Sequence, residues 1–188
     1  VSVEISGTAD ELTKTWKAMA INLFVAIAMV YLLMTILFES FRYPFIIMLT
    51  VPPAAAGGVL GLSLLNLTTF QPLDMLTILG FVILSGIVVN NAILLVHRTL
   101  QLLKENSLNV NEAIIEATNS RIRPIFMSTL TSIFGMLPLV IFPGAGSELY
   151  KGLGSVIIGG LSLSAILTLL IVPPMLKLFL TVNSKTVN

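Results

Sequence analysis

The segment 75–96, MLTILGFVILSGIVVNNAILLV, contains no charged residue and is long enough to cross a lipid bilayer. A membrane-spanning helix needs about 20 mostly apolar residues. Two adjacent amides, Asn90 and Asn91, stand inside this run, and each would lose hydrogen bonds to water if it were buried alone. The segment therefore predicts a membrane helix whose polar groups meet partners on other helices.

Four more uncharged runs of similar length occur at 18–38, 45–67, 124–142 and 153–176. Hydrophobic residues make up 56% of the 188 residues and charged residues only 10%, whereas soluble domains carry about 25% charged residues. A soluble protein with five buried core helices would need a polar outer shell, which this composition does not supply. We therefore predict an all-α integral membrane fold with five transmembrane helices.

The composition also limits the kinds of function. The chain has no cysteine, which excludes thiolate metal sites and disulfides, and its single histidine argues against a metal centre. The net charge of +1 and the lack of a basic patch with interleaved aromatic residues argue against nucleic acid as a partner. We therefore expect no cofactor, and we expect a lipid bilayer as the main surroundings.

The two ends of the chain differ from its apolar middle. Residues 1–7 alternate apolar and polar side chains, with Val1, Val3 and Ile5 on one face, which predicts the end of a strand outside the membrane. A membrane domain is then expected over 8–182, followed by a tail over 183–188.

The longest connection between the uncharged runs is 97–123. The helix of the third run is expected to continue through Lys104. Asn109 and Glu112 have the spacing of a capping box, which predicts a short amphipathic helix at about 110–119 lying on the membrane surface. Pro124 then suits the first turn of the fourth span. A plain surface connector remains an alternative for this segment.

The positive charges are distributed unevenly between the two sides of the membrane. One side has three bases, at Lys14, Lys17 and Lys151. The other side has seven, at Arg42, Arg98, Lys104, Arg121, Arg123, Lys177 and Lys185. Because the side richer in Lys and Arg is usually cytoplasmic, we predict that the N-terminus lies outside and the C-terminus lies inside.

Small residues within the runs predict close helix packing. Gly57 and Gly61 form a small-xxx-small pair, which lets two helix backbones approach closely. Gly159 and Gly160 are adjacent in the fifth run, and Gly86 stands in the third. We expect each of these glycines to lie where a neighbouring helix packs.

The fourth run carries a polar face. Ser128, Thr131, Ser132 and Gly135 stand at positions i, i+3, i+4 and i+7, and Arg121 precedes Ser128 by seven residues. Two interpretations remain open. The hydroxyls and the amides of the third run are either interhelical hydrogen-bonding groups, worth about 0.5–2 kcal/mol each, or a polar track for ions or protons.

Several motifs together resemble a known family. GIVVNNAILLV in 86–96 is followed by RIRPIFMSTLTSIFGMLPLVIFPGAGSELYKGLGSVIIGGL in 121–161, and LFESFRYPFIIMLTVPPAAAGG occupies 37–58. These segments resemble the resistance-nodulation-division (RND) efflux transporters, and most closely the hydrophobe/amphiphile efflux branch. The resemblance covers essentially the whole chain. It implies the last five of twelve spans, entered at 1–7 from the end of the second periplasmic porter region.

The resemblance also implies an activity and a set of residues. Such transporters are proton-driven antiporters, not enzymes, and they export amphiphilic or toxic small molecules. By motif, Asn90 takes the position of a relay lysine and Asn91 follows it. Ser128 takes the position of a relay hydroxyl, Thr129 could share that role, and Arg121 matches the relay arginine. Ser132, on the same face as Ser128, is included with them.

Asn90 is the departure from the family's pattern. An amide can donate and accept hydrogen bonds, but it cannot carry the positive charge that would balance two carboxylates in a low-dielectric site. A transport-inactive packing subunit, or a membrane scaffold without proton coupling, is therefore the alternative to a working pump.

The resemblance finally implies partners and a location. The partners would be the N-terminal half of the same protein, two further copies in a homotrimer, a periplasmic adaptor and an outer-membrane channel. The location would be the bacterial inner membrane, with the N-terminus of this chain in the periplasm and its C-terminus in the cytoplasm.

Overall fold

A computed structural model describes residues 7–105, 109–142, 144 and 146–185, and within these ranges it contains six α-helices and no β-strand. The helices are α1 (Gly7–Phe38), α2 (Arg42–Met48), α3 (Val51–Asn66), α4 (Met75–Glu105), α5 (Val110–Ile141) and α6 (Ser147–Lys185). The predicted all-α fold is confirmed. Of the predicted strand, residues 1–6 lie outside the described residues and Gly7 begins α1. The predicted tail starts inside α6, and residues 186–188 lie outside the described part.

Five segments of the described chain are long and apolar enough to cross a membrane. They are Ala20–Phe38, Arg42–Asn66, Met75–Lys104, Val110–Ile141 and Leu149–Thr181. Each overlaps one of the five uncharged runs, so the prediction of five spans is confirmed. The helix of the third run, α4, also extends past that run to Glu105, as expected.

The second span consists of two helices instead of one. α2 ends at Met48 and α3 begins at Val51, so the chain leaves the helical path at Leu49 and Thr50. Pro52 and Pro53 occupy the first turn of α3, where their missing N–H groups cost nothing. The Thr50 hydroxyl donates to the carbonyl oxygen of Ile47 at 2.7 Å, which satisfies one of the last acceptors of α2. The two prolines therefore divide the span.

The prediction of a separate surface helix at 110–119 is wrong. This segment is helical, but it is the first third of the continuous helix α5, and Pro124 lies inside α5 instead of at its start. Ala113, Ala117, Ile125 and Thr129 are all buried, so a row of buried side chains continues across the proline. Packing along this row holds the helix together where Pro124 removes a backbone hydrogen bond. The predicted capping interaction is present, because the backbone N–H of Asn109 donates to Glu112 Oε2 at 3.3 Å.

The chain divides into two compact units, Val1–Pro44 and Phe45–Asn188. In the first unit, α1 exposes large apolar side chains such as Phe24, Met29 and Ile36, as a lipid-facing helix does. The Tyr31 hydroxyl donates to the carbonyl oxygen of Phe41 at 3.1 Å, which fixes the turn that follows α1.

In the second unit, α6 is the central helix and contacts α3, α4 and α5. A core cluster of buried apolar residues joins α3, α4 and α6, comprising Ala54, Leu62, Leu84, Val88, Leu153, Val156, Ile157 and Leu161. Ile133 and Met136 of α5 pack against this cluster. Each of α3, α4 and α5 therefore has one side turned toward α6, and this arrangement decides which of their polar residues face inward.

Candidate functional site

Asn90 lies near the middle of α4, and its side chain is exposed in the described chain. Gly86 and His97 are exposed on the same face, one turn before and two turns after Asn90. The large residues Ile83 and Leu94 are exposed nearby. The outer face of α4 is therefore an apolar strip with one amide near its centre, and this amide does not point into the α3–α6 core.

The predicted polar face of α5 also lies on the outside. Ser128, Thr131 and Gly135 are exposed and Ser132 is half-buried. The Ser128 hydroxyl donates to the carbonyl oxygen of Ile125 at 3.0 Å, and the Thr131 hydroxyl donates to that of Met127 at 2.8 Å. The proton of each hydroxyl is thus engaged within α5, while its oxygen can still accept a hydrogen bond from another helix.

The residues that follow Asn90 and Ser128 in the sequence are buried. Asn91 is 6% exposed and Thr129 is 4% exposed. The Thr129 hydroxyl has no hydrogen-bond partner in the described chain. A helical threonine ordinarily donates to the carbonyl four residues earlier, but here the Ser128 hydroxyl occupies the carbonyl of Ile125. The structure therefore separates the predicted site into an exposed pair, Asn90 and Ser128, and a buried pair, Asn91 and Thr129.

Arg121 lies two turns before Ser128, about 10 Å along the helix at 1.5 Å per residue. Its side chain is half-buried, and Nε is buried without a hydrogen-bond partner among the described residues. None of the hydroxyls of Ser128, Thr129 and Thr131 donates to an amide of α4. The predicted polar residues thus lie on two helices, α4 and α5, that contact each other. In the described chain, the three hydroxyls do not connect these helices by hydrogen bonds to an amide of α4.

The glycines of α3 and α6 meet in a close crossing. A Cβ added to Gly61 would lie 2.5 Å from the carbonyl oxygen of Ser155 and 2.9 Å from Cα of Gly159. A Cβ on Gly159 would lie 2.5 Å from the carbonyl oxygen of Gly57. The Ser155 hydroxyl donates to the carbonyl oxygen of Gly61 at 2.6 Å. Only glycine lets the two backbones approach this closely, and the hydrogen bond adds to the contact.

The other two glycines differ from each other. A Cβ on Gly160 would collide with the side chain of Leu84 on α4, so Gly160 lies at the contact between α4 and α6. A Cβ on Gly86 would meet nothing within 4 Å. The packing role of Gly86 stays a prediction.

Two residues that stabilise the helices, Ser155 and Asp74, were not predicted from the sequence. Ser155 was not singled out, although it stands four residues before Gly159 and extends the small-xxx-small spacing by one turn. Asp74 caps α4, since its Oδ1 accepts from the backbone N–H of Thr77 at 2.8 Å and from the Thr77 hydroxyl at 2.6 Å. An acid directly before an apolar run is the signal that would have identified this cap.

A groove of about 620 Å³ lies beside the α3–α6 crossing. The hydroxyls in its wall, on Thr68, Ser155 and Ser162, all donate to backbone carbonyls. Its lining contains no charged residue and no residue of α4. Nor does the described part of the chain contain a group of three or more His, Asp or Glu residues that could hold a metal ion. The predicted relay residues therefore lie outside this groove, on α4 and α5.

Both helices, α4 and α5, lie in a part of the chain that is similar to known proteins. The model of the AcrB/AcrD/AcrF family matches residues 1–180. The chain belongs to this family. The resemblance to RND efflux transporters is thereby confirmed, and the five spans make this member of the AcrB/AcrD/AcrF family a multi-pass membrane protein. Its family consists of transporters, not of classical enzymes.

Individual relatives agree with the family. Multidrug resistance protein MdtC of Escherichia coli O1:K1 / APEC is 41% identical over 168 residues, which cover 89% of this chain and 16% of that protein. MdtC of Escherichia coli strain K12 / DH10B has the same identity and coverage. The crystal structure of a heavy metal efflux pump, in crystal form II, superposes with a TM-score of 0.81 at 27% identity. That match covers 93% of this chain and 17% of the pump, so the chain spans about a sixth of these relatives' length.

Proposed function

We propose that this AcrB/AcrD/AcrF-family chain is the C-terminal membrane portion of a proton-motive-force-driven efflux permease. It contributes the last five of twelve spans to a pump that exports amphiphilic or toxic small molecules. The relatives named above support export, since one is called a multidrug resistance protein and the other a heavy metal efflux pump. We favour amphiphilic molecules over metal ions because the identity to MdtC, 41%, exceeds the 27% identity to the metal pump.

The exposure of Asn90 and Ser128 in the middle of two membrane spans carries this proposal. Polar groups at this depth are expensive when they face lipid, and they usually face a partner or a water-filled cavity. The N-terminal half of the same protein is the proposed partner. The proposed relay comprises the polar residues of the two outer faces and the two buried residues behind them, namely Asn90, Asn91, Arg121, Ser128, Thr129 and Ser132.

Asn90 determines how such a relay would work. The resemblance implies a pair of aspartates facing this position. The Asn90 carbonyl can accept a hydrogen bond from a protonated carboxyl, and its NH₂ group can donate to an ionised one. Asn90 can therefore form a hydrogen bond with a facing carboxyl in either of its protonation states, without itself gaining or losing charge. Because no positive charge stands here to balance two carboxylates, the pair would share a proton at rest.

The same residue favours a second candidate function. Without a cation at Asn90, a chain of this family could pack into the assembly and yet not couple transport to protons. The alternative is thus a transport-inactive packing subunit or membrane scaffold. Proton-dependent export by the full-length protein distinguishes the two functions.

The proposed setting is the bacterial inner membrane. Seven of the ten bases lie on one side of the predicted topology, which supports a cytoplasmic C-terminus and a periplasmic N-terminus for this chain. In the proposed assembly, three copies form a trimer that works with a periplasmic adaptor and an outer-membrane channel. Family membership supports these partners.

The experiment removes the exposed hydroxyl by Ser128→Ala in the full-length protein. Proton-dependent export of a fluorescent lipophilic cation from energised cells should fall about tenfold or more, as expected for the loss of about 1.4 kcal/mol of hydrogen bonding in the transport cycle. Ser63→Ala is the matched control, because Ser63 is exposed on α3 and its hydroxyl also donates within its own helix, to Val59 at 2.8 Å. Wild-type export by Ser128→Ala, at equal amounts in the membrane, would refute the relay role. Absence of export by the unaltered protein would favour the scaffold.

A further inference from the structure

Three helices of the second unit each bury a polar side chain near the middle of their membrane spans, and α6 buries a second one, Thr168, one turn after Ser164. α4, α5 and α6 are in mutual contact. Asn91 on α4 is 6% exposed, Thr129 on α5 is 4% exposed and Ser164 on α6 is 3% exposed. Such residues are rare between packed apolar helices, because each removes hydrogen-bonding groups from water.

Asn91 and Ser164 lie at similar depths. A Cβ on Gly80 would lie 3.2 Å from Cα of Leu153, which aligns α4 with α6 at that point. The two helices run in the same direction, since one antiparallel span lies between them in the chain. Asn91 follows Gly80 by eleven residues, and Ser164 follows Leu153 by eleven residues. Eleven residues are about three turns and about 16 Å. The contact of Gly160 with Leu84 lies four residues before Ser164 and seven before Asn91, so the two side chains lie within about one helical turn of each other.

Thr129 reaches this level from the opposite direction. A Cβ on Gly154 of α6 would lie 3.8 Å from Cβ of Leu139 on α5. Thr129 precedes Leu139 by ten residues, and Ser164 follows Gly154 by ten residues. Because α5 runs antiparallel to α6, both displacements are about 15 Å toward the cytoplasmic side. The amide and the two hydroxyls therefore lie within about one helical turn of the same depth between the three helices.

The groups at this level have unused hydrogen-bonding capacity. The Thr129 hydroxyl has no partner in the described chain, so it is not bonded directly to Asn91 or to Ser164. The Ser164 hydroxyl donates to the carbonyl oxygen of Leu161 at 3.3 Å, which leaves its oxygen able to accept. Helical side chains lean toward their own N-terminus, so Asn91 and Thr129, on antiparallel helices, lean in opposite directions along the membrane normal.

We propose that one water molecule is bound between α4, α5 and α6, bridging the Asn91 amide and the Thr129 hydroxyl and donating to the Ser164 oxygen. A buried water usually makes two to four hydrogen bonds, and these three side chains provide that number. The water satisfies Thr129, whose local acceptor is taken by Ser128. It also fixes the register of α4 and α5 one residue away from Asn90 and Ser128. The site does not depend on proton coupling.

The test uses the full-length transporter in lipid nanodiscs. A structure at a resolution that shows ordered water should contain a density within about 2.7–3.2 Å of both the Asn91 amide and Thr129 Oγ1. Thr129→Val keeps the shape of the side chain and should remove this density, whereas Thr129→Ser should retain it. A direct hydrogen bond between Asn91 and Thr129, or the same density in both variants, would overturn the proposal.

Thermal unfolding provides an independent measurement. Asn91→Leu and Thr129→Val should each lower Tm, and the double variant should lower it no further than the larger single change, because both break one bridge. Ser162→Ala is the control and should leave Tm unchanged, since Ser162 is exposed on α6 and donates to its own helix. Additive shifts would contradict a shared water. Should Asn91→Leu not assemble, the comparison of Thr129→Val with Thr129→Ser decides alone.

Discussion

Replacing Gly159 by alanine tests whether the close crossing of α3 and α6 stabilises the membrane domain. The new methyl group would lie 2.5 Å from the carbonyl oxygen of Gly57 and 2.6 Å from Cα of Gly61. Both are backbone atoms, so no side chain can rotate away. Ordinary contact begins near 3.4 Å, and the helices would have to separate by about 0.9 Å at this point.

That separation has two costs. Overpacking a closely packed contact costs about 1–3 kcal/mol. The Ser155–Gly61 hydrogen bond, now 2.6 Å long, would lengthen to about 3.5 Å, and interhelical hydrogen bonds in membranes contribute about 0.6–1.7 kcal/mol. We therefore expect Gly159→Ala to lower the free energy of unfolding by about 2–5 kcal/mol.

Unfolding of the purified transporter by sodium dodecyl sulfate, followed by circular dichroism, measures this loss. Ser63→Ala serves as the control, because Ser63 is exposed on α3 two residues beyond Gly61. The control should stay within about 0.5 kcal/mol of the unaltered protein. If Gly159→Ala also stays within that range, the crossing is not a stabilising contact and the reasoning fails.

Two further predictions concern the α4 cap and the topology. Asp74→Ala removes the acceptor for the backbone N–H and hydroxyl of Thr77 and should lower the free energy of unfolding by about 0.5–2 kcal/mol. Asp74→Asn keeps an acceptor oxygen and should retain most of the stability. Equal losses for the two variants in the same detergent titration would contradict the cap. Single cysteines at the exposed positions Thr69 and Asn109 should react with a membrane-impermeant maleimide from opposite sides, Thr69 from the periplasm, and reaction of both from one side would exclude the proposed orientation.

Some local features could be predicted from residue types alone, and others could be known only from the packed structure. The capping pair Asn109 and Glu112 was predicted because a cap depends on residues within one turn. The continuity of α5 through Pro124 was not, because a proline breaks a helix unless contacts elsewhere hold both halves in line. Those contacts come from α4 and α6, which are distant in sequence. The division of the second span at Leu49 and Thr50 was not predicted, although Pro52 and Pro53 are a local signal for it.

The sequence by itself determined the five membrane spans and the candidate polar residues. Long uncharged runs have only one stable environment, and a mid-membrane amide needs a partner wherever it lies. Only the tertiary structure decided which residue of each adjacent pair faces inward. Asn90 and Asn91, like Ser128 and Thr129, differ by about 100° around a helix. Either member of a pair could face the core until α6, packed against α4 at Gly160 and against α5 at Gly154, selects one side of each helix for burial.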